Sequence, residues 1–339
     1  MKVFVAGSAG FIGTNFVRIL LRDRPDWDVL SFDALTYAGN PENLEELATN
    51  SHHRFVQGDI TNTEALDRAV VEFAPDAIVN FAAETHVDRS IHGFADVFVR
   101  TNVIGVQNIL EVVKKRSISR YVQVSTDEVF GALDLDDGKI FTEDTAFAPN
   151  SPYAASKASG DLLCRAYFKT YGTPVMVTHC GNNYGPYHFP EKIIPYFITL
   201  AMNNKPLPLY GDGLHVRDWV HVEDHGRAIL AVLEKGEIGH SYNVSADNER
   251  SNIDLAKMML RILGKDESSI VFVTERPGHD RRYAIQLSVA LAALGWSPKY
   301  DAAHFEQGLR ETIEWFQSHK DWADRAIERA KGVNNHIAS

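Results

Sequence analysis

The chain holds only two cysteines, Cys164 and Cys180, in 339 residues. That excludes a disulfide scaffold and makes a reducing cytoplasm the simplest setting. Excess positive charge is missing too. The formal net charge is −11, which argues against nucleic-acid binding as the main task. An anionic small molecule, held by a few local Arg and Lys residues, stays compatible with it. No apolar run approaches the ~20 residues needed to cross a bilayer, so no membrane partner is expected. The start, Met1–Gly7, enters a strand-like apolar run at once and does not read as a signal peptide. Internal repeats and low-complexity stretches are absent. No Gly-x-Ser-x-Gly elbow supports a hydrolase. In His221-Val222-Glu223-Asp224-His225 the Glu stands two places after the first His, not one, so the metalloprotease motif is absent and no metal is expected.

What is there is an ordinary globular balance, 45% hydrophobic and 23% charged, over a length that suggests two lobes. Lys2–Ala6, Val29–Phe32, Phe55–Gln57, Ala77–Ala82, Tyr121–Ser125 and Val175–Thr178 read as strands. They are mostly continuous apolar runs, as buried parallel strands require. Between them lie amphipathic stretches, Phe11–Arg22, Thr63–Phe73, Asp96–Lys115 and Pro152–Tyr171. Repeated βα units predict a Rossmann-like doubly wound parallel sheet, an α/β fold, with a smaller C-terminal α/β substrate lobe. After about residue 180 prolines and glycines punctuate the chain, and helix-like segments return at His221–Leu233, Ile253–Leu263 and Phe305–Trp315. The expected division is a nucleotide-binding part over 1–180 plus roughly 218–245. A substrate lobe is expected over 181–217 and 246–325, with a polar, fraying tail at 326–339.

Gly7-Ser8-Ala9-Gly10-Phe11-Ile12-Gly13 follows the first strand and opens the first helix. Such glycines let a turn tighten and a backbone approach a pyrophosphate, while the helix N-terminus offers amide donors. The spacing is Gly-x-x-Gly-x-x-Gly rather than the commoner Gly-x-Gly-x-x-Gly. Asp33 follows the second strand, 20 residues after Gly13, where an acid accepts the hydroxyls of an adenosine ribose and repels a 2′-phosphate. NAD is therefore favoured over NADP. Asp59, after the third strand, is placed either for the adenine or as a solvated turn residue.

Ser151-Pro152-Tyr153-Ala154-Ala155-Ser156-Lys157 is a helix start, with Ser as cap and Pro at the first position. Tyr153 and Lys157 then share one face. An ammonium beside the phenol is expected to lower its pKa from ~10, so that the phenolate can take a hydroxyl proton while hydride leaves the same carbon. Thr126-Asp127-Glu128 lies at the carboxyl end of a strand, where open α/β sheets build their sites. Two adjacent acids there serve as general acid and general base if their environments differ.

With these motifs in order, the chain resembles the extended short-chain dehydrogenases, and more closely the dTDP-glucose 4,6-dehydratase family. The resemblance spans roughly residues 1–325. It includes Asp33–Asn40, Ala82–Ser90, Ser125–Gly131, Asn182–Pro186, Pro190-Glu191-Lys192, Leu209–Gly213, Arg217-Asp218-Trp219 and Arg276–Tyr283. It implies catalysis by Thr126, Asp127, Glu128, Tyr153 and Lys157. It implies NAD contacts from Gly7, Gly10, Phe11, Ile12, Gly13, Asp33, Leu35, Thr36, Asp59, Ile60, Ala82, Ala83, Glu84, Asn102, Tyr153, Lys157 and Asn183. A nucleotide-diphosphate sugar would meet His86, Ser90, Thr126, Asn182, Lys192, Ile193, Pro208, Leu209, Tyr210, Arg217, Asn252, Arg276 and His279.

The implied reaction has three stages. Tyr153, with Lys157 and Thr126, deprotonates the C4 hydroxyl as hydride passes from C4 to NAD. Glu128 takes the C5 proton while protonated Asp127 releases the C6 hydroxyl as water. Hydride then returns to C6 and a proton to C5. Family members are usually dimers, which points to the segments 96–115 and 151–171. Three positions depart from the family pattern: Phe130 where Tyr is usual, and His179 and Gly181 around Cys180. These leave open neutral change or a reshaped sugar pocket, including a UDP-sugar substrate such as UDP-glucose or UDP-GlcNAc. An epimerase or decarboxylase, which loses no water, and a nucleotide sensor without turnover are the other readings. The paired acids argue against the former, and retention of Tyr153, Lys157, Asp127 and Glu128 against the latter.

Overall fold

A computed structural model describes residues 1–93, 95–275 and 278–329. Twelve strands are described: β1 (Lys2–Ala6), β2 (Asp28–Asp33), β3 (His53–Gln57), β4 (Ala77–Asn80), β5 (Arg120–Thr126), β6 (Val175–Cys180), β7 (Asn182–Tyr184), β8 (Leu207–Tyr210), β9 (Val216–His221), β10 (Ser241–Val244), β11 (Glu249–Ser251) and β12 (Ile270–Val273). Seven of them form one parallel sheet in the order β10-β6-β5-β4-β1-β2-β3. The apolar runs make this possible. Val3, Phe4, Val5, Ile78, Val79, Tyr121 and Val122 are fully buried because helices cover both faces of the sheet. One face packs Phe11–Asp23 against Val222–Lys235; the other packs Thr63–Phe73, Val106–Arg116 and Pro152–Tyr171.

Two small sheets, β11-β9-β7 and β12-β8, lie beyond it. A separate core holds the helices Ile193–Met202, Asn252–Leu263 and Phe305–Ser318 around Trp219, Met259 and Phe316. β10 rejoins the main sheet beside β6, with Ser241 opposite Val177.

Two expectations need correction. The stretch from Asp96 is not one regular helix: α-helix Asp96–Val99 passes through a π-helical turn, Arg100–Gly105, into Val106–Arg116. Asn102 sits in that turn, and its amide bonds the Glu84 backbone in both senses at 2.9 Å, a link that a π-turn can present. The tail expected from 326 is helical where it is described, and 330–339 lie outside the described residues. Helix Lys320–Arg329 continues past 326, with Ala326 buried. Trp322 donates its indole N–H to Asn43 Oδ1 at 2.8 Å, and Asn43 in turn donates to the Ala9 carbonyl at 3.0 Å. The last described helix therefore braces the glycine turn at the other end of the chain.

Candidate active site

The order of the sheet reverses between β1 and β4, and the crevice beyond their carboxyl ends is the ligand position of open α/β sheets. The local chain makes the approach tight. Gly7 has φ +75°, and a Cβ there would stand 2.4 Å from Ala82 N. A Cβ on Gly13 would stand 2.1 Å from Gly7 O. Both positions admit only glycine for reasons internal to the protein. Gly10 differs. Its Cβ would meet nothing closer than Gly7 O at 3.5 Å, and its φ and ψ of −77° and 172° suit any residue. Yet Gly10 lines a cavity of about 270 Å³ and caps the helix Phe11–Asp23 without any side-chain bond. A bare glycine and uncapped amide donors facing a cavity fit a pyrophosphate.

Asp33, buried at the end of β2, accepts N–H bonds from Ala9 and Leu35, both at 2.8 Å. It secures the glycine turn, and each oxygen keeps a further lone pair. The same cavity is walled by Phe11, Ile12, Ala83, Asn183 and the Thr126-Asp127-Glu128 corner with Tyr153 and Lys157. A second cavity, about 170 Å³, is lined by His86, Pro208, Leu209, Tyr210, Arg217, Asn252 and His279. Glu128, Asn182, Lys192 and Ile193 line both. The fold thus joins a glycine-turn chamber to a second chamber beside Glu128.

Nine expected residues do not wall either cavity: Asp33, Leu35, Thr36, Asp59, Ile60, Ala82, Glu84, Ser90 and Asn102. Several have evident work elsewhere. Ile60 is buried under Gly105. Asp59 accepts the Thr61 amide at 2.8 Å. Asn102 joins Glu84 to the Ser156 hydroxyl at 2.8 Å, and Ser90 donates to Val87 O at 2.6 Å. Arg276 lies outside the described residues.

The walls also contain residues outside the expected contact sets, of which Trp219 reads from the sequence as a core or wall residue. Trp219 lines both cavities, as does Glu191, which burial pushes up to about 7. His188 stacks on Phe11 at 4.0 Å. The run Pro190-Glu191-Lys192 was a signal for Glu191; nothing in the sequence marks its burial.

The acids occupy unlike surroundings. Thr126 caps the short 3-10 turn Asp127–Phe130, accepting the Glu128 amide at 3.3 Å. Asp127 is 2% exposed, and its Oδ2 has no hydrogen-bond partner among the described residues. Burial, then the charge of Glu128, holds its carboxyl well above the usual range. The expected depression of the Tyr153 phenol is not found. Burial, then Glu128, pushes the phenol well above its usual value, opposed by the Thr126 hydroxyl. Lys157 instead donates to Val124 O at 2.7 Å. A dry pocket with a carboxylate at hand outweighs a lysine turned towards a carbonyl.

The three departures fall in two places, Phe130 with His179 in one and Gly181 in the other. Phe130 walls neither cavity. It packs against Phe141, Phe147 and His179, with centroids 5.4, 5.7 and 5.0 Å away. Gly181 does face the first cavity, and a Cβ there would stand 2.7 Å from Asp218 O.

One trio of described residues has the composition of a metal site: His215, Glu275 and His279, whose ligand atoms lie within 4.8 Å of one another. The two imidazoles stack at 3.7 Å and 12°. Their nitrogens address separate oxygens of Glu275, at 3.2 and 2.6 Å. In-plane lone pairs of parallel stacked rings do not converge on a shared ion, so this is a carboxylate held by two histidines.

The chain matches the family model described as GDP-mannose 4,6 dehydratase over residues 4–312. It is 48% identical over 342 residues to the dTDP-glucose 4,6-dehydratase of Xanthomonas campestris pv. campestris, covering 96% of this chain and 95% of that one. A crystal structure of the dTDP-glucose 4,6-dehydratase from Bacillus anthracis in complex with NAD superposes with a TM-score of 0.89 at 46% identity, covering 96% and 99% of the two chains. Another from Streptomyces venezuelae, with NAD bound, gives 0.91 at 45%, covering 96% and 100%.

Thermal unfolding with and without NAD separates the two kinds of glycine. Gly10→Val should leave the melting temperature of the NAD-free protein nearly unchanged and abolish its rise on adding NAD. Gly13→Ala should lower the melting temperature itself; equal behaviour of the two would refute the distinction.

Asp127 gives a pH test. In the unfolded chain its carboxyl ionises near ~4. Below that pH both states are protonated and the residue costs nothing. As pH rises the unfolded chain releases the proton and the fold retains it, so folding is progressively disfavoured up to the raised pKa. Asp127→Asn should therefore raise the melting temperature more at pH 7.5 than at pH 4.5. An equal shift at both would mean that Asp127 is ionised in the fold.

Proposed function

The chain belongs to the GDP-mannose 4,6-dehydratase family, and on that premise we propose that it is an NAD-dependent hydro-lyase. It converts dTDP-glucose to dTDP-4-keto-6-deoxyglucose, the activity for which its relatives are named. The observation that carries this reading is the acid pair. Asp127 is buried beside the glycine-turn cavity with its carboxyl held well above the usual range, and Glu128 stands where the two cavities meet.

The uncapped glycine turn would hold the NAD pyrophosphate, and Asp33 the ribose hydroxyls. Bound NAD supplies reversible uptake of hydride from C4 and its return to C6. This chain's residues move the protons. Tyr153, acting as its phenolate beside Thr126, takes the C4 hydroxyl proton. The resulting ketone acidifies C5, and Glu128 takes that proton. Asp127 gives its proton to the C6 hydroxyl, which leaves as water, and Glu128 returns a proton to C5. Tyr153 ends with the proton that Asp127 has lost, so one transfer between them restores the site. Arg217 and Lys192 match the substrate diphosphate, and Pro208, Leu209 and Tyr210 lie along the base.

The enzyme is a cytoplasmic homodimer on the same reading. Both cysteines are free and buried, which suits a reducing compartment. Val99, Ile104, Leu162 and Tyr171 are 44–58% exposed on the segments 96–116 and 152–171. Exposed apolar side chains on both segments suit burial against a second copy.

Incubation with dTDP-glucose should give a product lighter by one water, carrying one solvent deuterium at C5 when made in D2O. UDP-glucose and UDP-GlcNAc should be turned over far more slowly. Glu128→Gln should abolish water loss and leave substrate affinity intact. Native-rate elimination by that variant would remove the role of Glu128, and an unchanged product mass the whole assignment. Sedimentation velocity should read a dimer that Leu162→Asp splits; a native monomer, or a dimer indifferent to that change, would rule out this interface.

A further inference from the structure

Lys157 is 5% exposed, and among the described residues its ammonium has one hydrogen-bond partner, the Val124 carbonyl at 2.7 Å. A carbonyl dipole does not balance a full charge, and an uncompensated buried ion is costly. Asp161 stands four residues on, the next position of the same helical face. It is 4% exposed.

Its Oδ2 accepts the Ser125 hydroxyl at 2.5 Å and lies 3.3 Å from His179 Nε2. Ser125 and His179 face each other across β5 and β6, so the sheet itself fixes the carboxylate. Its Oδ1 is buried without a hydrogen-bond partner among the described residues. The rings of Phe130 and Phe147 close over His179 at 5.0 and 5.8 Å and exclude water. Phe130 and His179, two departures from the family pattern, are thus parts of one wall against Asp161.

The other titratable groups facing this pair are Tyr121 from β5, Tyr153 and Cys164 from the helix, and His179 from β6. Burial pushes Tyr121, Tyr153 and Cys164 up. Burial lowers Lys157, and Asp161 is the leading influence against that.

We infer that Asp161 is the fixed counter-ion of Lys157, a positioning residue locked by Ser125 and His179 that keeps the ammonium charged in the closed site. The inference rests on the part given to Lys157 in the proposed reaction, but the pairing can be measured without substrate or cofactor.

The experiment is a double-variant cycle in melting temperature at pH 7.5, using the native chain, Asp161→Asn, Lys157→Met and both together. Asp161→Asn should destabilise the native chain, because it strands a buried ammonium. In the Lys157→Met background the same change should be neutral or stabilising, since it then removes a stranded carboxylate. Equal losses in both backgrounds would overturn the pairing. If Asp161→Asn alone does not fold, a folded double variant upholds the pair and an unfolded one refutes it.

Turnover supplies a second readout. Asp161→Asn should move the alkaline limb of kcat down by about one pH unit or more with KM little changed, and Asp161→Glu should restore it. An unmoved limb would mean that Asp161 only packs.

Discussion

The site depends on one close approach. The turn after β1 presses its backbone against the chain leaving β4, and nothing with a Cβ fits at Gly7 or Gly13. That contact brings the helix Phe11–Asp23 down over the switch point of the sheet and leaves its amides facing a cavity. Asp33, Asn43 and Trp322 then hold the turn from three parts of the chain. The second lobe is braced to the same turn through the last described helix, so the chamber and its far wall are set by one arrangement.

Burial is the second control, and it acts on charge. Asp127 and Glu128 are adjacent in sequence, but only Asp127 is sealed beneath the corner, and that difference prepares one acid to give a proton beside another able to accept one. Burial also explains why Lys157 does not simply activate Tyr153. A dry pocket resists the phenolate and the ammonium alike, so the charge of Asp161 matters one turn further along the helix.

The sheet was legible because its evidence is local. Continuous apolar runs, the Ser151-Pro152 cap and the glycine spacing each report on a few neighbouring residues, and β1, β2, β5 and the helix Pro152–Tyr171 fall where those signals put them. The π-turn at Arg100–Gly105 was not legible, because its link is made by Asn102 to Glu84, 18 residues away. The continuation of the final helix past residue 326 was hidden for a like reason. Its burial comes from Asn43 and the second-lobe core, far off in the chain.

By itself the sequence determined the class of fold, the glycine turn and the chemical kinds present: a phenol, a lysine and two neighbouring acids. Those are properties of residue type and short spacing, which a chain carries before it folds. Only the tertiary structure decided which acid is sealed, that Phe130 lies behind the site while Gly181 faces it, and that Asp161 stands behind Lys157 with His179 against it. Desolvation and opposing charge act through space, and residues far apart in the chain supply both.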